Sequence, residues 1–274
     1  MCVIVYKPAG QPMPGMSTLA ACWAANRDGA GFMRPEGGSV RIRKGFMEWG
    51  DLAEALEREA AAPDIESVPF AAHFRIATHG AVKPGCCHPF PVCGSASRMR
   101  RTEQTAAIGF MHNGVLSGLK TSEAVSDSMA FAKRVLSPLD RLSGDLLGNP
   151  EMRKVIGAST QGSRFLLMDG AGDVRTFGRW VSEDGVMFSN DNWKRRSPTA
   201  LGSYLAPYAA GGQMRLFDAY EAFGGFDADD PARYGLFPAC AGCEMMAECV
   251  ECLPYCADAE DAEAMASAPW QPAS

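Results

Sequence analysis

The chain opens on a short apolar run, Cys2 to Tyr6, whose β-branched centre predicts a buried strand starting at the second residue. Further strands are predicted at Val40 to Arg43, Pro69 to Ile76 and Thr105 to Met111. Ser17 is expected to cap a helix reaching about Asn26, and Asp51 another whose Leu52 and Leu56 lie on one face. Val125, Met129, Ala132 and Leu136 recur at helical spacing and predict an amphipathic helix from Ser122 to Leu136, ended by Pro138. From Arg164 the pattern becomes that of a hairpin followed by another strand. Arg164 to Met168 and Asp173 to Phe177 flank the turn Asp169-Gly170-Ala171-Gly172, and Gly185 to Ser189 comes later. Strands and helices come in blocks rather than as regular βαβ units, which predicts a layered α+β fold. There is neither an internal repeat nor a GxGxxG turn.

With 274 residues the chain is long enough for one large domain with an appendage. A hydrophobic fraction of 47% with 21% charged residues is that of a folding globular protein, and no apolar stretch approaches the roughly 18 residues of a membrane span. The first residues lack a basic region followed by an apolar segment, so no signal peptide is expected and the cytoplasm is the expected compartment. There the ten cysteines should be largely reduced, which favours catalysis and metal binding over a disulfide framework. A formal net charge of −6 gives no electrostatic basis for nucleic-acid binding. The basic runs Arg98 to Arg101 and Lys194 to Arg196 are short and read as solvated loops.

Three short segments carry candidate chemistry. Cys2 by itself reads as a small buried hydrophobe, but removal of Met1 would leave it bearing both a thiol and a free α-amine. The amine's unperturbed pKa of about 7.7 to 8.0 suits a general base near neutral pH, so nucleophile and base would share one residue. The second segment, His73-Phe74-Arg75-Ile76-Ala77-Thr78-His79-Gly80, is an extended apolar strand running into a polar turn. A satisfied core histidine and a surface ion pair are its plainer interpretations. The third is His112-Asn113-Gly114, where an Asn-Gly dipeptide at a strand end ordinarily makes only a tight turn.

Together, and in this order along the chain, these segments resemble the class II glutamine amidotransferases, which include the glutaminase domains of glucosamine-6-phosphate synthase and asparagine synthetase. Asn26-Arg27-Asp28-Gly29-Ala30-Gly31 and Ser126-Asp127-Ser128 are similar to two further elements of that family, so the resemblance runs from Cys2 to about Asn190. It implies a four-layer αββα sandwich of the N-terminal nucleophile hydrolase type. It also implies hydrolysis of L-glutamine to L-glutamate and ammonia through a γ-glutamyl thioester on Cys2. An oxyanion hole would come from the Asn113 side-chain amide and the Gly114 N–H. Arg75 would be the two-pronged partner of the glutamine α-carboxylate, and Asp127 the acceptor for its α-ammonium. Thr78 and His79 match positions on the loop that closes over glutamine. Asn26 stands where many relatives have an arginine beside the nucleophile, Ile76 replaces a tryptophan of some relatives, and Met129 replaces an acidic residue. No cofactor is implied for glutamine hydrolysis.

Residues 2–235 are assigned to this domain, 236–256 to a cysteine-rich segment and 257–274 to a disordered acidic tail. Cys240, Cys243, Cys249 and Cys252 form two Cys-x-x-Cys pairs, with Cys256 available as a fifth ligand. A structural zinc is the preferred occupant; because the five-residue spacer is short for a zinc ribbon, an iron–sulfur cluster or free thiols stay open. Cys87 and His88, beside Cys86, offer either a metal pair or a structural turn, and the turn is preferred. The residues after the resembling region hold no phosphate-binding loop, so the enzyme that activates the ammonia acceptor is expected to be a separate synthetase or ligase. Two alternatives remain: an N-terminal-nucleophile amidase acting on another amide, and a non-catalytic metal-binding interaction protein on the same scaffold.

Overall fold

The computed structural model describes residues 2–77, 82–122, 125–160 and 162–195. Its strands in chain order are β1 (Val3–Lys7), β2 (Ala30–Glu36), β3 (Ser39–Phe46), β4 (Phe70–Phe74), β5 (Phe90–Pro91), β6 (Glu103–Ala106), β7 (Ile108–Asn113), β8 (Arg164–Asp169), β9 (Val174–Phe177), β10 (Val181–Glu183) and β11 (Val186–Phe188). The helices are α1 (Met16–Ala25), α2 (Trp49–Ala60), α3 (Ala96–Met99), α4 (Asp127–Phe131), α5 (Ser137–Ser143) and α6 (Pro150–Ala158). The fold is mixed α+β, with two antiparallel sheets in the strand orders β10-β11-β1-β4-β2-β3-β6 and β5-β7-β8-β9. No helix among the described residues is long and apolar enough to cross a membrane.

The period of two along the strands divides the core. Ile4, Met33, Val40, Ile42 and Ala71 of the large sheet pack against Met111, Leu166 and Met168 of the small one. The alternate residues Phe110, Phe165 and Leu167 face away from that interface, onto Met129, Phe131 and Leu136 and onto Ile156 of α6. Gly109 lies at a close approach of the two sheets, since a Cβ there would run into Met33 Sδ.

β1 lies inside the large sheet, paired on one side with β4 (Val3 opposite Phe74) and on the other with β11 (Val5 opposite Phe188). In an antiparallel pair the end of one strand lies beside the start of its neighbour. The residues that follow β4, Arg75 and Ile76, and those that follow β11, Ser189 and Asn190, therefore flank Cys2.

Several elements differ from their sequence signals. The run from Thr105 to Met111 is two strands, β6 on the edge of the large sheet and β7 in the small one; the chain changes sheet at Ala107, within an unbroken apolar stretch. Neither Ser17 nor Asp51 caps a helix. Gly15 and Glu48 occupy those positions, and Asp51 sits in the first turn of α2, where its charge still complements the helix dipole. The helix predicted from Ser122 begins at Asp127, with Ser126 as its cap. Pro138 does not end it: one turn of π-helix, Ala132–Leu136, leads into α5 with Pro138 in its first turn, where the widened turn relieves the demand for the missing N–H.

Candidate functional site

Cys2 immediately precedes β1, and its sulfur is bracketed by the main chain of Ile76: the Ile76 N–H donates to Sγ and the thiol donates to Ile76 O, both at 3.3 Å. Burial pushes the thiol above its ordinary pKa, opposed by the Ile76 hydrogen bond and by the Arg75 guanidinium. At neutral pH the resting sulfur is therefore a thiol, and a nucleophilic role requires a base at the moment of attack.

Asn113 ends β7 in the other sheet and is buried, 2% exposed. Its Nδ2 donates to Ser189 Oγ at 2.8 Å, and the same hydroxyl accepts the Ile4 N–H at 2.8 Å. Asn190 Nδ2 donates to Cys2 O at 2.7 Å. A continuous hydrogen-bonded connection thus ties the candidate nucleophile's strand to the Asn113 amide. Gly114 follows with φ of 142°, a region that side-chain-bearing residues avoid, and a Cβ on it would strike Ser163 Oγ. Glycine is required there on both counts.

Asp127 opens α4 and draws the same turn to it. Its Oδ2 accepts the Leu116 N–H at 3.0 Å, and its Oδ1 accepts the Ser128 N–H at 2.7 Å. Oδ1 also accepts the Ser128 hydroxyl at 3.3 Å, which fills both of its lone pairs, so a further donor would go to Oδ2. Arg75 is 7% exposed, and its N–H donates to Gly29 O while its carbonyl accepts the Asp28 N–H. Asp28 Oδ2 in turn accepts the Ala77 N–H at 2.6 Å, fastening the stretch from Arg75 to Ala77 to the Asn26–Gly29 turn. Asn26 donates from Nδ2 to Cys22 O at 3.0 Å, back onto the last turn of α1. Thr78, His79, Cys240, Cys243, Cys249, Cys252, Cys256 and the boundaries at 235 and 256 lie outside the described residues.

Three histidines are buried around these elements. His73 Nε2 lies 3.2 Å from His112 O, and His112 Nδ1 lies 2.8 Å from Ser128 Oγ. The ring of His88 stands 4.3 Å from that of His73, centre to centre, and 6.4 Å from that of His112. Burial drives His73 down to about 3 and His112 to about 4; His88 falls well below the ordinary value, through burial first and then the neighbouring histidines. All three are neutral at physiological pH. Cys86 ends a short 3₁₀ turn, Pro84–Cys86, and Cys87 and His88 follow it. Among the described residues no group of three or more His, Cys, Asp or Glu side chains is arranged to hold a metal ion.

Ser189 and Asn190 carry no signal in one dimension: polar residues after a strand read as loop. Only strand pairing reveals where they lie. No protein-family model matches the chain, and no curated protein matches it in sequence.

Proposed function

We propose that the chain is a glutaminase subunit of the glutamine amidotransferase type, working at Cys2 within a four-layer αββα sandwich. The observation that carries this reading is that the adjacent residues Ser189 and Asn190 hydrogen-bond Asn113 Nδ2 and Cys2 O respectively, with Arg75 beside the thiol. An amide-cleaving nucleophile requires a base, preorganised donors for an oxyanion, and groups that select the substrate.

With Met1 removed, the α-amine of Cys2 takes the thiol proton as Sγ attacks the glutamine δ-carbonyl. The carbonyl oxygen becomes an oxyanion held by Asn113 Nδ2–H and the Gly114 N–H. Collapse of this intermediate breaks the C–N bond, and the α-ammonium returns the proton to the departing ammonia. Water then attacks the γ-glutamyl thioester and gives up a proton to the same amine; the C–S bond breaks to release glutamate, and the α-ammonium returns that proton to Sγ. Arg75 pairs with the α-carboxylate and Asp127 with the α-ammonium of glutamine, while Thr78 and His79 belong to the closing loop. An amidase for simple amides would have no use for Arg75 and Asp127 together.

The ammonia passes to a separate synthetase or ligase, because protonation in bulk water would remove its nucleophilicity. A cytoplasmic location and a structural zinc on Cys240, Cys243, Cys249 and Cys252 complete the proposal. Its test is a glutamine-analogue diazo-ketone, which should alkylate Cys2 alone among the ten cysteines and be blocked by excess glutamine. Dominant labelling at Cys87 or in the cysteine-rich segment would reject Cys2 as the nucleophile.

A further inference from the structure

We propose that Ser189 and Asn190 are the positioning residues of this site: Ser189 aims the Asn113 amide and Asn190 holds the nucleophile's own peptide. The inference rests on the glutaminase reading above. It starts from sheet geometry, because β11 runs antiparallel to β1 and delivers residues 189 and 190 beside residues 2 to 4. The Ser189 N–H donates to Ile4 O at 2.9 Å, so the serine main chain is held by the sheet itself.

The hydroxyl sits at the meeting point of the two sheets. It accepts from Ile4 N in the large sheet and from Asn113 Nδ2 in the small one, each at 2.8 Å, which occupies both oxygen lone pairs. One N–H of the Asn113 amide is thereby fixed. Amide planarity then dictates where the second N–H points, and that is the hydrogen available to an oxyanion. Ser189 is 1% exposed, so no solvent molecule competes for the contact.

Asn190 does the equivalent for Cys2. Its Nδ2 holds Cys2 O at 2.7 Å, and its Oδ1 accepts the Asn192 N–H at 3.1 Å, so its own amide orientation is set. Holding the Cys2 carbonyl restricts rotation of the residue that carries both the thiol and the α-amine. A misplacement of about 1 Å in such a constellation lowers a rate by roughly a hundredfold. Neither side chain reaches the reacting atoms; each acts through a neighbour.

The test is a double-mutant cycle on glutamine hydrolysis. Ser189→Ala should lower kcat by about tenfold or more with KM changed by less than about twofold, since an oxyanion contact is made in the transition state. In combination with Asn113→Ala, the further loss from Ser189→Ala should be less than about twofold, because residues acting through one contact are not additive. Ser189→Thr, which keeps the hydroxyl, should restore kcat to within about threefold of wild type. If Ser189→Ala does not fold, Ser189→Cys keeps the shape with a weaker acceptor and should still lower kcat. Wild-type kcat in Ser189→Ala or Ser189→Cys, or full additivity with Asn113→Ala, overturns the positioning role. A wild-type protein that releases no glutamate, or a Cys2→Ala variant as active as wild type, overturns the glutaminase reading instead.

Discussion

Lowering the pH from 7 to 5 should remove a large part of the protein's stability, and the cause is specific. His73, His88 and His112 are buried and neutral in the folded state, with His73 at about 3, His112 at about 4 and His88 well below its ordinary value. The unfolded chain titrates them near 6.5, so protons are taken up on unfolding and the folded state loses stability as pH falls. Their contribution is fully present above the unfolded pKa and drains away as pH falls toward the folded values. For His73 and His112 the loss between pH 7 and 5 is about 2 kcal/mol each, about 4 together, with His88 adding in the same direction. That is much of the 5–15 kcal/mol typical of a domain. The buried Lys44, lowered to about 7 by burial, is about half charged at pH 7 in the folded state and charged by pH 5, whereas the unfolded chain keeps it charged throughout, so it adds a loss of about half a kcal/mol in the same direction. Asp64, whose carboxyl the Arg34 hydrogen bond holds low, titrates below it. Urea unfolding at pH 7, 6 and 5 measures the effect. His88→Phe should be tolerated at pH 7, since neither ring nitrogen has a hydrogen-bond partner among the described residues, and should flatten the pH dependence by one proton. Stability that stays level or rises toward pH 5 would refute the buried neutral histidines.

Three other outcomes are expected. Arg75→Lys should raise KM for glutamine far more than it lowers kcat, because lysine cannot reproduce a bidentate carboxylate contact; wild-type kinetics would reject that assignment. Elemental analysis of protein purified anaerobically without added metal should give one zinc per chain, and removing it should affect glutamine hydrolysis little; absence of both zinc and iron would leave only free thiols in the cysteine-rich segment. The isolated chain should hydrolyse glutamine slowly and be stimulated by its synthetase partner in the presence of acceptor; fast, partner-independent turnover would point to a stand-alone amidohydrolase.

The strands with a strong local signature were legible in sequence: the β-branched opening run became β1, and the Asp169 to Gly172 turn joins β8 to β9. β2 was hidden behind the Asn26 to Gly31 motif and by Pro35, an unfavourable residue inside a sheet. Its partners in β4 extend only to Met33, so no bond to that neighbour is lost at Pro35. The change of sheet at Ala107 was illegible because apolar periodicity reports burial rather than which sheet is joined. Among the candidate site residues, Cys2, Arg75, Asn113 and Asp127 were singled out through the order and composition of their motifs. Ser189 and Asn190 were not, since their significance arises from the antiparallel pairing of β1 with β11, 185 residues apart at the Ile4–Ser189 contact.

The most direct measurement is a parallel assay of glutamate and ammonia release from L-glutamine by the wild-type protein and by Cys2→Ala, with intact mass establishing removal of Met1. The two products should appear in equal amounts from wild-type protein that begins at Cys2, and release should fall to the uncatalysed background in Cys2→Ala. Undiminished release from Cys2→Ala, or full activity in protein that wholly retains Met1, would contradict a mechanism in which one residue supplies both nucleophile and base.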